Sequence, residues 1–202
     1  GHAAGGTVND AFMAAVAGGL ARYHDRHDQP VDELRVTMPV SLRTADDQEG
    51  GNHITLTRMV VPVGLDDPAD RIRAIDRISQ EWRHEPAIPY SNLIAGALNL
   101  LPQSVTGGML KHVDFLASNV PGFRDSVYVG GARVTGFYPF GPTIGASANF
   151  TLMSYAGTCN VGVTADLGAV ADPEAFIACL IEGFEEVLQL GGGQGNSSSR
   201  PT

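Results

Sequence analysis

The histidines are the first candidates for chemistry, because an imidazole titrates near neutral pH and can act as a base or bind a metal ion. The closest pair of the six is His24 and His27. They lie three residues apart in a charged stretch, with no third ligand at a suitable spacing, so we expect a solvated surface. His53, His84 and His112 stand alone, where an imidazole is more often a structural donor or a surface residue than a base.

Ser118 and Asn119 form a second candidate site in the run ASNVPG, residues 117–122. The run lacks the G-x-S-x-G sequence that surrounds a hydrolase nucleophile. Pro121 and Gly122 shape the turn after an apolar strand, so both polar side chains lie where a strand meets a cleft. They can donate hydrogen bonds to a substrate, or they can simply stabilise their own turn.

A third candidate is the run GFYPFGP, residues 136–142, in which two prolines bracket Phe140 and Gly141. The prolines stiffen this turn and fix the direction of its aromatic side chains. A rigid aromatic wall suits an apolar acyl or alcohol chain, and an ordinary hydrophobic corner would have the same composition.

Several other kinds of site are excluded because the chain lacks their sequence motifs. The chain has no G-x-G-x-x-G, no G-x-x-x-x-G-K-[ST] and no EF-hand loop, which excludes the commonest nucleotide and calcium sites. Cys159 and Cys179 are too few for a disulfide framework, and no His and Cys set has zinc spacing. We therefore expect no metal site and a reducing compartment.

The elements that position these residues follow from hydrophobic periodicity and from the turn residues. Thr7 and Asp10 form a capping pair before a helix, and Asp172 with Pro173 opens another. The predicted helices are Val8–His27, one from Pro68 that ends before Pro86, two short apolar helices between Pro89 and Lys111, and one from Asp172. The predicted strands are Leu34–Leu42, His53–Val63, Val113–Val120, Val127–Val129, Arg133–Tyr138, Ser147–Tyr155 and Thr158–Ala165.

This order predicts an α/β (α+β) fold, a mixed β-sheet covered by helices on at least one face. No linker divides the chain before its tail, so we predict one domain over residues 7–190. Residues 1–6 are expected to be a tag or linker remnant, and residues 191–202 a flexible tail rich in Gly and Ser.

Composition limits the partners. The 202 residues are 43% hydrophobic and carry a formal net charge of -9, which excludes wholesale disorder and makes nucleic acid an unexpected ligand. The longest apolar run, Ala11–Ala21, is about half the length of a membrane-spanning helix, and no secretory leader is visible. We expect a cytoplasmic protein, with peripheral attachment to a membrane or to lipid bodies as the alternative.

Four stretches in this order resemble the C-terminal half of bacterial wax ester synthase/diacylglycerol acyltransferases. They are Asn9-Asp10 and the runs SNVPG from Ser118, YPFGP from Tyr138 and NFTLMSYAG from Asn149. The resemblance covers Thr7 to Leu190. It implies the fold of the CoA-dependent acyltransferases (chloramphenicol acetyltransferase-like), in which two halves enclose the active site in a tunnel.

In the family that the chain resembles, the catalytic motif is HHxxxDG in the N-terminal half, whose second His is the general base. No two histidines are adjacent in this chain, so we expect no catalytic residue here and no catalysis by the chain alone. The implied partners are the N-terminal catalytic half, acyl-CoA as co-substrate, and a long-chain alcohol or diacylglycerol. No bound cofactor is expected.

The resemblance also implies roles for single residues. Structural motif positions are Asn9, Asp10, Pro121, Gly122, Pro139, Gly141 and Pro142. Substrate-binding positions are Ser118, Asn119, Phe140, Asn149, Ser154 and Tyr155. Asn9 and Asp10 are expected to support the tunnel or the contact between halves, and Phe140 to lie against the acyl or alcohol chain. Phe123 replaces the final proline of the family's SNVPGP run.

A second interpretation remains open: a free-standing, non-catalytic module of the same fold that binds protein or lipid. The two interpretations differ in the exposed apolar area expected around Leu93–Leu101 or Phe137–Phe140. A lone half would expose such a patch and could self-associate to cover it, whereas an adapted module would have a polar surface.

Overall fold

A computed structural model describes residues 1–41, 54–83 and 113–192 of the chain. Two sequence predictions lie outside the described residues. They are the two apolar helices between Pro89 and Lys111, with the surface at Leu93–Leu101, and most of the tail.

The described elements agree with most of the predicted ones to within one or two residues. After a short 3-10 turn at His2–Ala4, the helices are α1 Val8–Arg26, α2 Pro68–Arg83 and α3 Pro173–Gln189. The strands are β1 Glu33–Ser41, β2 Ile54–Pro62, β3 Phe115–Val120, β4 Tyr128–Val129, β5 Ala132–Arg133, β6 Ala148–Tyr155 and β7 Thr158–Ala165.

Within the described ranges, five strands form one sheet in the order β2-β1-β3-β6-β7. Strands β1 and β3 are parallel, as are β3 and β6, whereas β6 and β7 are antiparallel. Ala156 and Gly157 have positive φ angles of 46° and 84° and form the predicted tight turn between β6 and β7. The predicted mixed sheet with helices is confirmed.

One strand prediction is wrong. The pattern over Arg133–Tyr138 predicted a full strand, but β5 ends at Arg133 after pairing with β4, and residues 134–142 have no regular structure. Pro139 and Pro142 have no N–H to donate to a strand ladder. Three carbonyl groups of this segment instead face the Tyr155 hydroxyl, Gly162 and the Asn149 side chain.

Contacts between Cα atoms divide the chain into two compact units. A helical unit comprises Gly1–Glu33, Pro62–Ser79 and the chain from Asp172, and a sheet unit comprises Leu34–Val61 and Gln80–Ala171. The prediction of one domain over residues 7–190 stays a prediction.

In the helical unit, α1 and α3 are antiparallel and cross closely. Phe12 packs against Phe184 with ring centroids 6.2 Å apart, and Tyr23 packs against Phe176 at 5.1 Å. A Cβ atom added at Gly183 would lie 2.4 Å from the carbonyl oxygen of Ala15. The helices can approach this closely only because Gly183 has no side chain.

The sheet has two chemically different faces, because side chains alternate along each strand. One face is apolar and includes Phe115, Ala117, Phe150 and Leu152, all buried, with the rings of Phe115 and Phe150 5.7 Å apart. The opposite face, called the polar face below, carries the following residues: Thr37, Leu116, Ser118, Asn149, Thr151, Tyr155, Asn160, Gly162 and Thr164.

Candidate functional site

Residues 134–142 cross the polar face of β6 and β7, and we call this segment the strap. Three carbonyl oxygens of the strap meet the sheet: those of Val134, Pro139 and Pro142. The strap belongs to the connection between the parallel strands β3 and β6, which must pass over one face of the sheet.

Tyr155 holds the first end of the strap. Its buried hydroxyl donates to the Val134 carbonyl oxygen at 2.8 Å and accepts from the Val127 N–H at 2.9 Å. The ring of Phe137 packs edge-on against the Tyr155 ring at 5.1 Å and lies 5.6 Å from Phe123. The hydroxyl and the ring of Tyr155 therefore both position the strap. Its predicted contact with substrate stays a prediction.

Two glycines bring the strap close to the sheet. A Cβ atom added at Gly162 would lie 1.6 Å from the Pro139 carbonyl oxygen and 3.2 Å from Cδ1 of Phe140. A Cβ atom added at Gly141 would lie 2.5 Å from Nδ2 of Asn149. Side chains at either position would force the strap away from the strands.

Asn149 holds the second end of the strap. Its Nδ2 donates to the Pro142 carbonyl oxygen at 2.8 Å, and its Oδ1 accepts from Oγ1 of Thr151 at 3.0 Å. Both side chains are more than nine-tenths buried. Among the described residues, these bonds use one of the two N–H groups of the amide.

The strap exposes two of its three aromatic side chains although its backbone is fixed. Phe140 is 70% exposed and Tyr138 is 67% exposed. Because the backbone on both sides of Phe140 is held to the sheet, this ring is a preorganised apolar surface. It fits the predicted position against an acyl or alcohol chain, a role that stays a prediction.

The structure brings some predicted site residues together and separates others. Ser118 is half-buried on the polar face and pairs in register with Thr151, one strand from Gly162. Asn119 alternates onto the opposite face, where its register partner is Leu152. The side chain of Asn119 therefore lies on the opposite face of the sheet from those of Ser118 and Asn149.

The run SNVPG ends β3 with a close crossing over β6. A Cβ atom added at Gly122 would lie 1.8 Å from the carbonyl oxygen of Ser154, and the Gly122 N–H donates to Oγ of Ser154 at 3.2 Å. Phe123 follows with its carbonyl oxygen accepting from the Ala156 N–H at 2.9 Å. The turn thus forms with Phe123 in place of the family's final proline.

Two polar side chains on the polar face were not singled out from the sequence. Oγ1 of Thr37 and Nδ2 of Asn160 are buried without a hydrogen-bond partner among the described residues. The alternation of small polar residues with Val161 and Val163 along β7 was the available signal, but it also fits an ordinary half-exposed strand.

Asn9 and Asp10 lie in the helical unit, at the start of α1. Asp10 is fully buried and completes a capping box with Thr7, accepting from its N–H at 2.8 Å and its hydroxyl at 2.6 Å. The other carboxylate oxygen accepts from Oγ of Ser79 in α2 at 3.1 Å. Asp10 therefore ties two helices together, which is a structural role.

Sequence reasoning missed Arg71, whose side chain is 3% exposed. Its guanidinium donates to the carbonyl oxygens of Ala14 and Leu65 and contacts Glu186, which also pairs with Arg22. Burial, and then the nearby charge of Arg22, lowers the pKa of Arg71 to about 10, so the group is still cationic at neutral pH.

Arg71 and Arg22 line a pocket of about 400 Å³ in the helical unit. Its other charged lining residues are Asp25, Asp32 and Asp66. Glu186 pairs with both guanidinium groups, so neither of the two described cations that line the pocket is free for an anionic ligand.

Across residues 1–41, 54–83 and 113–192, no group of three or more His, Cys, Asp or Glu side chains is arranged to hold a metal ion. In the same ranges no helix has the length and apolar character needed to cross a membrane.

Solved structures share this arrangement of strands and helices. The wax ester synthase/diacylglycerol acyltransferase of Marinobacter aquaeolei VT8 superposes with a TM-score of 0.68 at 24% identity, over 94% of this chain and 45% of that protein. The PapA2 acyl transferase gives 0.54 at 13% identity, over 95% and 40%. An epimerization domain of tyrocidine synthetase B gives 0.57 at 14%, over 94% and 42%. The fold is that of the CoA-dependent acyltransferases.

Sequence comparison then gives the family. The profile of the WS/DGAT C-terminal domain matches residues 50–188, and the chain belongs to this family. A Mycobacterium tuberculosis protein named as a diacylglycerol O-acyltransferase is 38% identical over 194 residues, which are 95% of this chain and 40% of that relative. A second from the same organism is 35% identical, over 92% of this chain and 44% of the relative. The chain thus spans less than half the length of these relatives.

Proposed function

We propose that the chain is the C-terminal part of an acyl-CoA-dependent O-acyltransferase that makes wax esters or triacylglycerol. In this proposal it supplies a wall of the substrate tunnel, and the general base comes from an N-terminal part with the HHxxxDG motif. The observation that carries the proposal is the strap, a clamped backbone that exposes Phe140.

The strap is suited to an apolar chain because its rings are held before any ligand arrives. An aromatic side chain buries a large apolar area with few rotatable bonds, so little entropy is lost when a chain packs on it. Tyr138 and Phe140 both have more than half of their surface free.

Ser118 is proposed to donate a hydrogen bond to the thioester carbonyl or to orient the acceptor hydroxyl. It lies in one register row with Thr151 and Gly162, and adjacent strands are about 4.8 Å apart, which places Ser118 about 10 Å from the strap contact at Gly162. Asn149, in the neighbouring row, is proposed to donate its second N–H to the substrate or to the oxyanion that forms from the thioester carbonyl.

The β4–β5 hairpin is proposed to contribute to the contact with the N-terminal part. Its four paired residues are all exposed, with Tyr128 at 61% and Val129 at 68%. An isolated two-stranded hairpin is only marginally stable in water, and one with exposed apolar residues gains stability by docking.

Ester synthesis tests the proposal in two settings. The 202-residue chain given palmitoyl-CoA with hexadecanol or dioleoylglycerol should form no ester above background by thin-layer chromatography. In the native polypeptide that contains this sequence, Phe140→Ala should reduce ester synthesis about tenfold. The matched control is Leu167→Ala, because Leu167 is also 70% exposed but lies outside the strap. Turnover by the chain alone, or equal effects of the two variants, would contradict the proposal.

The second candidate function, a non-catalytic module that binds protein or lipid, is favoured by the same exposed rings. The size of the native polypeptide in source cells separates the two, using an antibody against this chain. A band at more than twice 21.2 kDa supports the acyltransferase, and a band near 21.2 kDa supports the module.

A further inference from the structure

Helix α3 carries an apolar stripe that the described part of the chain leaves exposed. Ile177, Ile181 and Leu188 are 56%, 53% and 72% exposed, and Phe184 lies between them with its ring partly covered by Phe12. These four residues follow the spacing i, i+4, i+7 and i+11, so they lie on one face of the helix. The stripe is about 16 Å long, from the rise of 1.5 Å per residue.

The sequence shows that these residues are apolar but not that they are exposed. The buried residues of α3 are Phe176, Cys179, Leu180 and Gly183, which occupy the side of the helix that crosses α1. A helix that only covered a core would be polar at positions 177, 181 and 188. Three large aliphatic side chains in one exposed row are typical of an interaction surface.

The charges beside the stripe indicate the chemistry of the partner. Glu174 and Glu185 are exposed on one flank of Ile181, at three- and four-residue helical spacings from the stripe, and neither forms an ion pair among the described residues. Glu182 and Glu186 are paired with arginines of α1 and α2. The stripe is thus bordered by two unneutralised carboxylates.

We propose that the α3 stripe docks an amphipathic helix of a protein partner whose apolar face is flanked by Lys or Arg. Paired helix faces of this kind bury apolar residues in a row, and opposite charges at the border select the partner. Self-pairing of α3 is disfavoured because residues 173–189 contain no Lys, Arg or His to oppose the glutamates. Anionic lipid is disfavoured by the same carboxylates. This inference does not depend on the proposed acyltransferase function.

Peptide binding to the full chain tests the proposal. The probes are two fluorescein-labelled amphipathic peptides of about four helical turns, each with Leu at i, i+4, i+7 and i+11 and with either Lys or Glu on the flanks. Fluorescence anisotropy should show that the Lys peptide binds at least about tenfold more tightly than the Glu peptide.

Variants locate the binding site. Ile177→Ser with Ile181→Ser should weaken binding of the Lys peptide about tenfold or more, whereas the control Leu167→Ser should not. Glu174→Lys with Glu185→Lys should reverse the preference between the two peptides. These side chains are exposed, so thermal unfolding should show that every variant is folded at the temperature of the binding assay.

Three results would overturn the proposal. The first is equal binding of the Lys peptide by the Ile177→Ser, Ile181→Ser variant and the parent chain. The second is a dimer of the parent chain in sedimentation that this variant dissociates, which would identify a second copy as the occupant. The third is sedimentation of the parent chain, but not of the variant, with phosphatidylcholine or phosphatidylglycerol vesicles, which would identify a lipid surface.

Discussion

Asn149 on β6 donates a hydrogen bond from Nδ2 to the carbonyl oxygen of Pro142 at 2.8 Å. The bond joins a buried sheet side chain to a backbone segment that has no ladder of its own. Thr151 completes the arrangement by donating to Oδ1 of Asn149, so the amide is fixed in one orientation. The position of Phe140, two residues before Pro142, therefore depends on a strand residue.

Replacing this amide should destabilise the protein. Asn149→Ala removes the bond to Pro142 and leaves the buried Thr151 hydroxyl without its acceptor, so we expect the free energy of unfolding to fall by about 1–3 kcal/mol. Chemical denaturation measures this loss. The matched control is Asn160→Ala on the same face, which removes a buried Nδ2 that has no partner among the described residues and should be nearly neutral. Equal losses for both variants would show that the bond to the strap contributes nothing.

A methyl group at Gly162 should displace the strap. The added Cβ would lie 1.6 Å from the Pro139 carbonyl oxygen, and backbone must move to relieve the overlap, which typically costs about 1–3 kcal/mol. Gly168→Ala is the control, because the nearest atom to a Cβ there is the side-chain Oδ1 of Asp166 at 3.2 Å. Denaturation of both variants provides the comparison, and a Gly162→Ala protein as stable as the parent would contradict the close contact.

The secondary structure was predictable from the sequence where local signals agreed. Thr7 and Asp10 predicted the start of α1. The two residues between the predicted strands that end at Tyr155 and begin at Thr158 predicted the β6–β7 hairpin. Capping and tight turns are predictable because they depend on residues close together in the chain. The WS/DGAT family was predictable from four motifs in order, and the profile match over residues 50–188 confirms it.

The tertiary contacts that require the residues of these motifs were not predictable from the sequence. A side chain at position 122 would overlap Ser154, and one at position 141 would overlap Asn149. Both contacts join segments that are separated in the chain. The strand predicted over residues 133–138 failed for the same reason, since tertiary anchors override local strand propensity. Periodicity also could not show which apolar face of α3 would be buried.

The two cysteines should differ in reactivity. Cys159 is exposed, whereas Cys179 is fully buried, and burial raises the pKa of the Cys179 thiol above its ordinary value of 9.0. At pH 8, Ellman's reagent should therefore modify Cys159 rapidly and Cys179 only after unfolding, because the thiolate is the reactive form. Cys159→Ser should abolish the rapid phase. A rapid phase that persists in Cys159→Ser would show that Cys179 is accessible.

The ion pair between Arg71 and Glu186 should contribute more to stability than the exposed pair between Arg73 and Asp70. In the parent protein the lowered pKa of Arg71, about 10, still leaves its buried guanidinium charged at neutral pH. Glu186→Gln removes a carboxylate that this guanidinium contacts. We expect a loss of about 3 kcal/mol, as for other buried pairs that lose one partner. Arg73→Ala should cost less than about 1 kcal/mol, because both members of that pair are more than half exposed. Denaturation at pH 7 measures both losses. If the two were equal, the carboxylate of Glu186 would not be compensating the buried charge, and the carbonyl oxygens of Ala14 and Leu65 would be sufficient to hold Arg71.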